Sequence, residues 1–137
     1  MAKIELTWKD GNAFESVHDD GIVNIDHPAE GEENRGMRPK ALMLSSLAGC
    51  SALDIVSLLK KMRAEVDDFK IDVAAELTDE HPKIYKDVVV TYKFFGADFK
   101  KDKIKKAVDL SVERYCGVME MFRQFTDVKI EIEYHTV

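Results

Sequence analysis

Pro39-Lys40-Ala41-Leu42-Met43-Leu44-Ser45-Ser46-Leu47-Ala48-Gly49-Cys50-Ser51-Ala52-Leu53-Asp54 is the stretch on which the reading of the whole chain turns. A proline suits the first turn of a helix, where its missing N–H is not needed. Nothing between Lys40 and Arg63 stops the helix that Pro39 starts. Such a helix has about 24 residues and a length on the order of 36 Å. Leu42, Met43, Leu44, Leu47, Ala48, Gly49, Ala52 and Leu53 make its first half apolar or small on every side. That pattern predicts a helix buried all round. Charge appears only at its end, in Lys60, Lys61 and Arg63, where cations suit the helix dipole.

Upstream, Ile4, Leu6 and Trp8 alternate with polar residues, as in a strand. Lys9-Asp10-Gly11-Asn12 is a hairpin signal, since Asp-Gly accepts the positive φ that tight turns require. A second strand follows over Phe14–Val17, then a turn at Asp19-Asp20-Gly21, then a third strand over Ile22–Ile25. The polar stretch His27–Arg38, with Pro28, Gly31 and Gly36, has no periodicity and reads as a surface loop. A loop of that length inside a small domain is often a lid or an interface arm.

Downstream, Phe69, Ile71, Val73, Ala75 and Leu77 alternate as a strand, and Asp79–Lys83 turns the chain into a partner strand over Tyr85–Phe95. Ile104, Ala107, Val108, Ser111, Val112 and Tyr115 share one face of a second helix over Asp102–Tyr115. Cys116-Gly117 marks a break, Val118–Phe125 reads as a short helix, and Val128, Ile130, Ile132 and Tyr134 make the last strand. The order βββ-α-ββ-αα-β predicts a single α+β domain over residues 1–137, with antiparallel sheet and segregated helices. Six modest strands leave a buried central helix short of cover, which predicts a homodimer in which the helices of two chains pack together.

With 45% hydrophobic and 34% charged residues the chain is globular. A net charge of −6 argues against binding nucleic acid or anionic membranes, which needs a basic surface. Ala2-Lys3-Ile4-Glu5 reads as the start of a strand and not as a signal peptide. The longest uncharged stretch, Ala41–Leu53, has 13 residues, too few to span a bilayer. Two cysteines in helical contexts suit a reduced, cytoplasmic protein and do not make a disulfide scaffold.

Cys50 lies mid-helix among small residues, which let a substrate or a partner element approach its sulfur. A glycine inside a helix costs roughly 1 kcal/mol against alanine, so Gly49 asks for a packing or functional reason. The bland alternative is that Cys50 is a small core hydrophobe at a helix contact. Cys116 closes an amphipathic helix and is by itself structural; together the two cysteines are a candidate redox pair, although not a Cys-x-x-Cys one. His18, His27, His81 and His135 are scattered without ligand spacing, so no metal is expected, and no phosphate-binding glycine loop predicts a cofactor. Lys100, Lys101, Lys103, Lys105 and Lys106 read as a solvated helix face. Asp54, one helical turn after Cys50, reads as a polar spot at an interface before it reads as a general base.

The segment Pro39–Asp54, together with Leu110-Ser111-Val112-Glu113-Arg114-Tyr115-Cys116-Gly117-Val118, resembles the two cysteine motifs of the OsmC/Ohr family, and the element order matches over essentially the whole chain. That resemblance implies an intertwined homodimer with active sites at the subunit interface. It implies reduction of small organic hydroperoxides, with Cys50 as the peroxidatic cysteine, Cys116 as the resolving one, and an external dithiol as reductant. Peroxidase members carry Pro-Glu ten residues before the first cysteine, and that glutamate holds an N-terminal arginine beside the thiolate. Here Lys40 takes the glutamate's position, and Arg38, with Arg35, is the candidate for the arginine. Ten residues of helix put Lys40 roughly 15 Å from Cys50. If Lys40 serves the thiolate, either the helix breaks between them or Lys40 reaches the cysteine of the other subunit. The resemblance also leaves a second class open, a non-enzymatic dimer that binds a small apolar ligand or senses redox state.

Overall fold

A computed structural model describes all of residues 1–137. Its contacts divide the chain into two compact units, Met1–Met43 and Leu44–Val137. The first unit holds strands β1 (Glu5–Asp10), β2 (Ala13–His18) and β3 (Gly21–Ile25), paired antiparallel in the order β1-β2-β3. Gly11 takes φ +52°, as the Asp-Gly turn requires. Ile4, Leu6, Trp8 and Ile22 are exposed in this sheet region.

The segment after β3 is a loop with one fixed point. Met37 bridges Ile25, with Asp26 N–H donating to Met37 O at 3.1 Å and Met37 N–H to Asn24 O at 2.9 Å. Gly36 is what permits the approach: a Cβ there would lie 2.6 Å from the backbone of Asn24.

Helix α1 (Pro39–Lys61) starts at the end of the first unit and runs on through the second without a break. Its buried residues are Leu47, Ser51, Ile55 and Leu59, one every fourth position and therefore one stripe. The expectation of burial all round is not met within one chain, because Met43, Leu53 and Val56 are exposed. The sequence argument against a membrane span also changes. The whole helix is long and apolar enough to cross a bilayer, and it is the packing of its buried stripe in a protein core that accounts for the apolarity of that side.

The second unit continues with β4 (Asp68–Leu77), β5 (Tyr85–Gly96), α2 (Lys101–Leu110), a π turn (Ser111–Tyr115), α3 (Gly117–Arg123) and β6 (Val128–Thr136). β5 is the central strand, and Val88, Val90, Tyr92 and Phe94 point from it into the core. Leu47, Ile55 and Leu59 of α1, Ile104, Ala107 and Val108 of α2, and Met119 and Phe122 of α3 fill the same core. Each of the larger apolar side chains among them contributes roughly 1.5–3 kcal/mol by leaving water.

The fold is α+β, with two three-stranded sheets. Two expectations are corrected. β6 joins β5 parallel and not antiparallel, because α2 and α3 form the crossover that carries the chain back before β6 begins. The second helix is α-helical only to Leu110; Ser111–Tyr115 widens into the π turn. The lysine run is also more than a solvated face. Lys100 Nζ donates to Arg63 O at 2.7 Å and Lys103 Nζ to Met62 O at 3.0 Å, capping carbonyls at the C-terminal end of α1.

Candidate functional site

Ser51 interrupts an otherwise apolar stripe, so its hydroxyl must be satisfied inside the core. Its Oγ lies 2.7 Å from Tyr92 Oη and 2.7 Å from Ser111 Oγ. Ser111 Oγ in turn donates to Asp54 Oδ2 at 2.9 Å. An ionised carboxylate only accepts, and each hydroxyl has one proton to give. The direction of the chain follows: Tyr92 donates to Ser51, Ser51 to Ser111, and Ser111 to Asp54. Ser51, Tyr92 and Ser111 are fully buried, and no buried side-chain nitrogen or oxygen in the protein lacks a partner. Burial pushes the Tyr92 hydroxyl up to about 12, against a smaller opposing pull from the bond to Ser51.

Cys50 and Cys116 flank this network. Cys50 precedes Ser51 on α1 and is half-buried; Cys116 is buried, and both are free thiols. Cys50 packs against the core cluster that contains Cys116, near enough for the two thiols to influence each other's ionisation. Burial, and then the neighbouring Cys50 thiol, push the Cys116 thiol up to about 11, so it keeps its proton at neutral pH. The N–H of Met119 donates to Cys116 Sγ at 3.3 Å and pulls the other way. Cys116 is thus the N-cap of α3, in extended conformation with φ −81° and ψ 99°. The expected break falls on Cys116 itself, and Gly117 is already helical.

The π turn decides where Cys116 sits. In a continued α-helix its N–H would bond the carbonyl four residues back, at Val112. Instead it donates to Ser111 O, five back, at 2.8 Å. Val112 O is taken by Arg123 Nη1 at 2.6 Å, and Arg123 is itself gripped by Glu120 Oε1 through two nitrogens at 3.0 and 3.1 Å. Chemically, two neighbouring thiols make a dithiol that can lose two electrons and two protons to become a disulfide.

Of the sequence-predicted residues, Cys50 and Cys116 are brought together. Arg38 lies in the first unit and donates through Nη1 to Asp26 O and Asn34 Oδ1, each at 3.0 Å. Arg35 forms a two-pronged pair with Asp10, and its N–H donates to Asp26 Oδ2 at 2.9 Å. Lys40 is exposed in the first turn of α1, and because α1 is unbroken the option of a helix break between Lys40 and Cys50 falls away. Tyr92, Ser51, Ser111 and Arg123 were not singled out from the sequence. Ser51 and Ser111 carried a signal, a serine at helical spacing within a buried face; Tyr92 and Arg123 carried none.

Comparisons with known proteins place the chain in a family. Residues 31–131 match the family model of the OsmC-like proteins. Protein YhfA of Escherichia coli (strain K12) is 33% identical over 90 residues, covering 66% of this chain and 67% of its own. A hypothetical protein from Aquifex aeolicus VF5 superposes with a TM-score of 0.88 at 31% identity, covering 100% of this chain and 98% of its own. The organic hydroperoxide resistance protein OhrB of Bacillus subtilis shares the fold, with a TM-score of 0.63 at 22% identity over 96% of this chain and 97% of its own. On the family match and on its likeness to YhfA, this chain belongs to the OsmC-like protein family.

Proposed function

We propose that the protein is a cytoplasmic, thiol-dependent peroxidase that reduces small organic hydroperoxides. The observation that carries the reading is the packing of Cys50 against the core that holds the proton-bearing Cys116, so that two cysteines from different helical elements come near each other in the folded unit. A fold shared with a protein named for hydroperoxide resistance supports it.

The Cys50 thiolate attacks one oxygen of the hydroperoxide; the O–O bond breaks, and the alkoxide leaves and takes a proton as the alcohol. Cys50 is left as a sulfenic acid. Cys116 then attacks Cys50 Sγ, its proton passing to the departing hydroxyl, so that water leaves and a disulfide forms. An external dithiol reduces that disulfide and carries away the two electrons as its own disulfide.

The working unit in this reading is a homodimer. Beyond its own helix backbone and chain neighbours, Gly49 has no atom within 4 Å of the place its Cβ would occupy, and Leu53 and Val56 are 77% and 59% exposed on the same helix. A second copy of α1 against that side gives the glycine and the exposed apolar residues their reason. Lys40 of one subunit then serves the Cys50 thiolate of the partner subunit, and Arg38 joins it, leaving its present carbonyl and amide partners.

The test is consumption of cumene hydroperoxide with a dithiol reductant. Wild type turns over, Cys50→Ser does not, and Cys116→Ser shows one fast oxidation and then stalls. Absence of turnover in wild type would leave the non-enzymatic reading, a dimeric ligand binder or redox sensor.

A further inference from the structure

The π turn before Cys116 is an unusual way to end a helix, and two sets of side chains hold it open. From inside, Ser111 is bound at both ends: its hydroxyl donates to Asp54 at 2.9 Å and meets Ser51 at 2.7 Å, while its carbonyl accepts the Cys116 N–H at 2.8 Å. From outside, the Arg123 guanidinium occupies Val112 O at 2.6 Å, the carbonyl that Cys116 N–H would take in an α-helix. Glu120 fixes the guanidinium by its two-nitrogen grip.

We propose that Arg123 is a positioning residue for Cys116: by holding Val112 O it keeps Ser111–Tyr115 in the π register, and that register sets Cys116 Sγ against Cys50 Sγ. Reversion to the α register removes one residue from the turn and rotates Cys116 by about 100° around the helix axis, away from Cys50. Arg123 offers Val112 O a charged donor, and charge-assisted bonds are stronger than the neutral amide bond it displaces. The proposal rests on the reading of Cys50 and Cys116 as a redox pair, but not on the peroxide being the oxidant.

The experiment therefore uses glutathione disulfide. The Cys50 thiolate attacks one of its sulfurs and expels one glutathione thiolate. Cys116 then attacks the mixed disulfide at Cys50 Sγ and expels the second, and the two thiol protons go to the two glutathiones. The full-length protein is equilibrated in glutathione buffers, trapped by alkylation, and its disulfide fraction read by mass spectrometry. Arg123→Met is expected to lower the disulfide equilibrium constant about tenfold, which is about 30 mV in potential. Arg123→Lys, which still offers Val112 O a donor, is expected to recover at least half of that loss on a logarithmic scale. A fall of less than about fivefold in Arg123→Met overturns the proposal, and so does a lysine variant that recovers less than half. Melting of the reduced proteins identifies a variant that has not folded, and Glu120→Gln, which loosens the grip on Arg123, then stands in for it against the same fivefold threshold. If wild type itself forms no intramolecular disulfide, the redox-pair reading fails with it; if wild type does and Arg123→Met matches it, the positioning role alone is lost.

Discussion

Ser51 Oγ and Ser111 Oγ stand 2.7 Å apart in the core, and this contact ties the helix that carries Cys50 to the turn that carries Cys116. Each serine lies close to a cysteine in sequence, Ser51 directly after Cys50, and Ser111 at the start of the π turn that precedes Cys116. The hydroxyl chain from Tyr92 to Asp54 is therefore part of the framework that brings the two thiols together.

Removing the middle of that chain strands its neighbours. Ser51→Ala leaves the buried Tyr92 hydroxyl without its acceptor and Ser111 without its donor. The expected loss is roughly 1–3 kcal/mol of stability, the cost of a buried polar group left unpaired. Urea denaturation of the reduced protein measures it, and a loss below about 0.5 kcal/mol, the usual range for surface substitutions, would show that the hydroxyls find other partners.

Alkaline pH should weaken the fold, chiefly through the two groups that are pushed up furthest. Burial raises Cys116 from 9.0 to about 11 and Tyr92 from 10.0 to about 12. Both groups are neutral when protonated, so above its ordinary value each ionises first in the unfolded chain. Their contribution is intact below pH 9 and is lost as pH rises through the 9–12 window. The urea midpoint of the reduced protein should fall across that window. Tyr92→Phe should flatten the upper part of the fall; an unchanged slope between pH 10 and 12 would remove Tyr92 from this account.

Dimerisation predicts a sedimenting mass about twice 15.6 kDa at micromolar concentration. A Leu53→Asp, Val56→Asp double variant puts two carboxylates on the exposed apolar side of α1 and should yield monomer. A wild-type protein that sediments as a stable folded monomer would end the dimer proposal.

If Lys40 serves the thiolate across the dimer, its charge favours the ionised sulfur. Lys40→Met should then slow iodoacetamide alkylation of Cys50 near neutral pH, and Lys40→Glu should slow it further unless Arg35 or Arg38 moves in to pair with the new carboxylate. Rates matching wild type across pH would make Lys40 a bystander.

The sequence by itself determined the element order. Alternation of Phe69, Ile71 and Val73 marks a strand, Asp-Gly marks the first turn, and Pro39 starts α1. These are local signals, set by one residue's φ range or by a period of two or four residues. Local patterning also singled out Cys50 and Cys116, since small neighbours and a helix end are visible in the chain.

Tertiary structure alone decided the rest. That β6 lies parallel to β5 depends on how the α2–α3 crossover packs, which strand alternation cannot express. Ser51 and Ser111 were legible as serines on buried faces, but their mutual partnership, and its extension to Tyr92 and Asp54, arise only when α1, β5 and the π turn share one core. The π register itself is a balance between two carbonyls, Ser111 O and Val112 O, for one N–H. The competitor that settles it is a guanidinium from the following helix. Periodicity reads one element at a time, whereas that choice belongs to the contact between two.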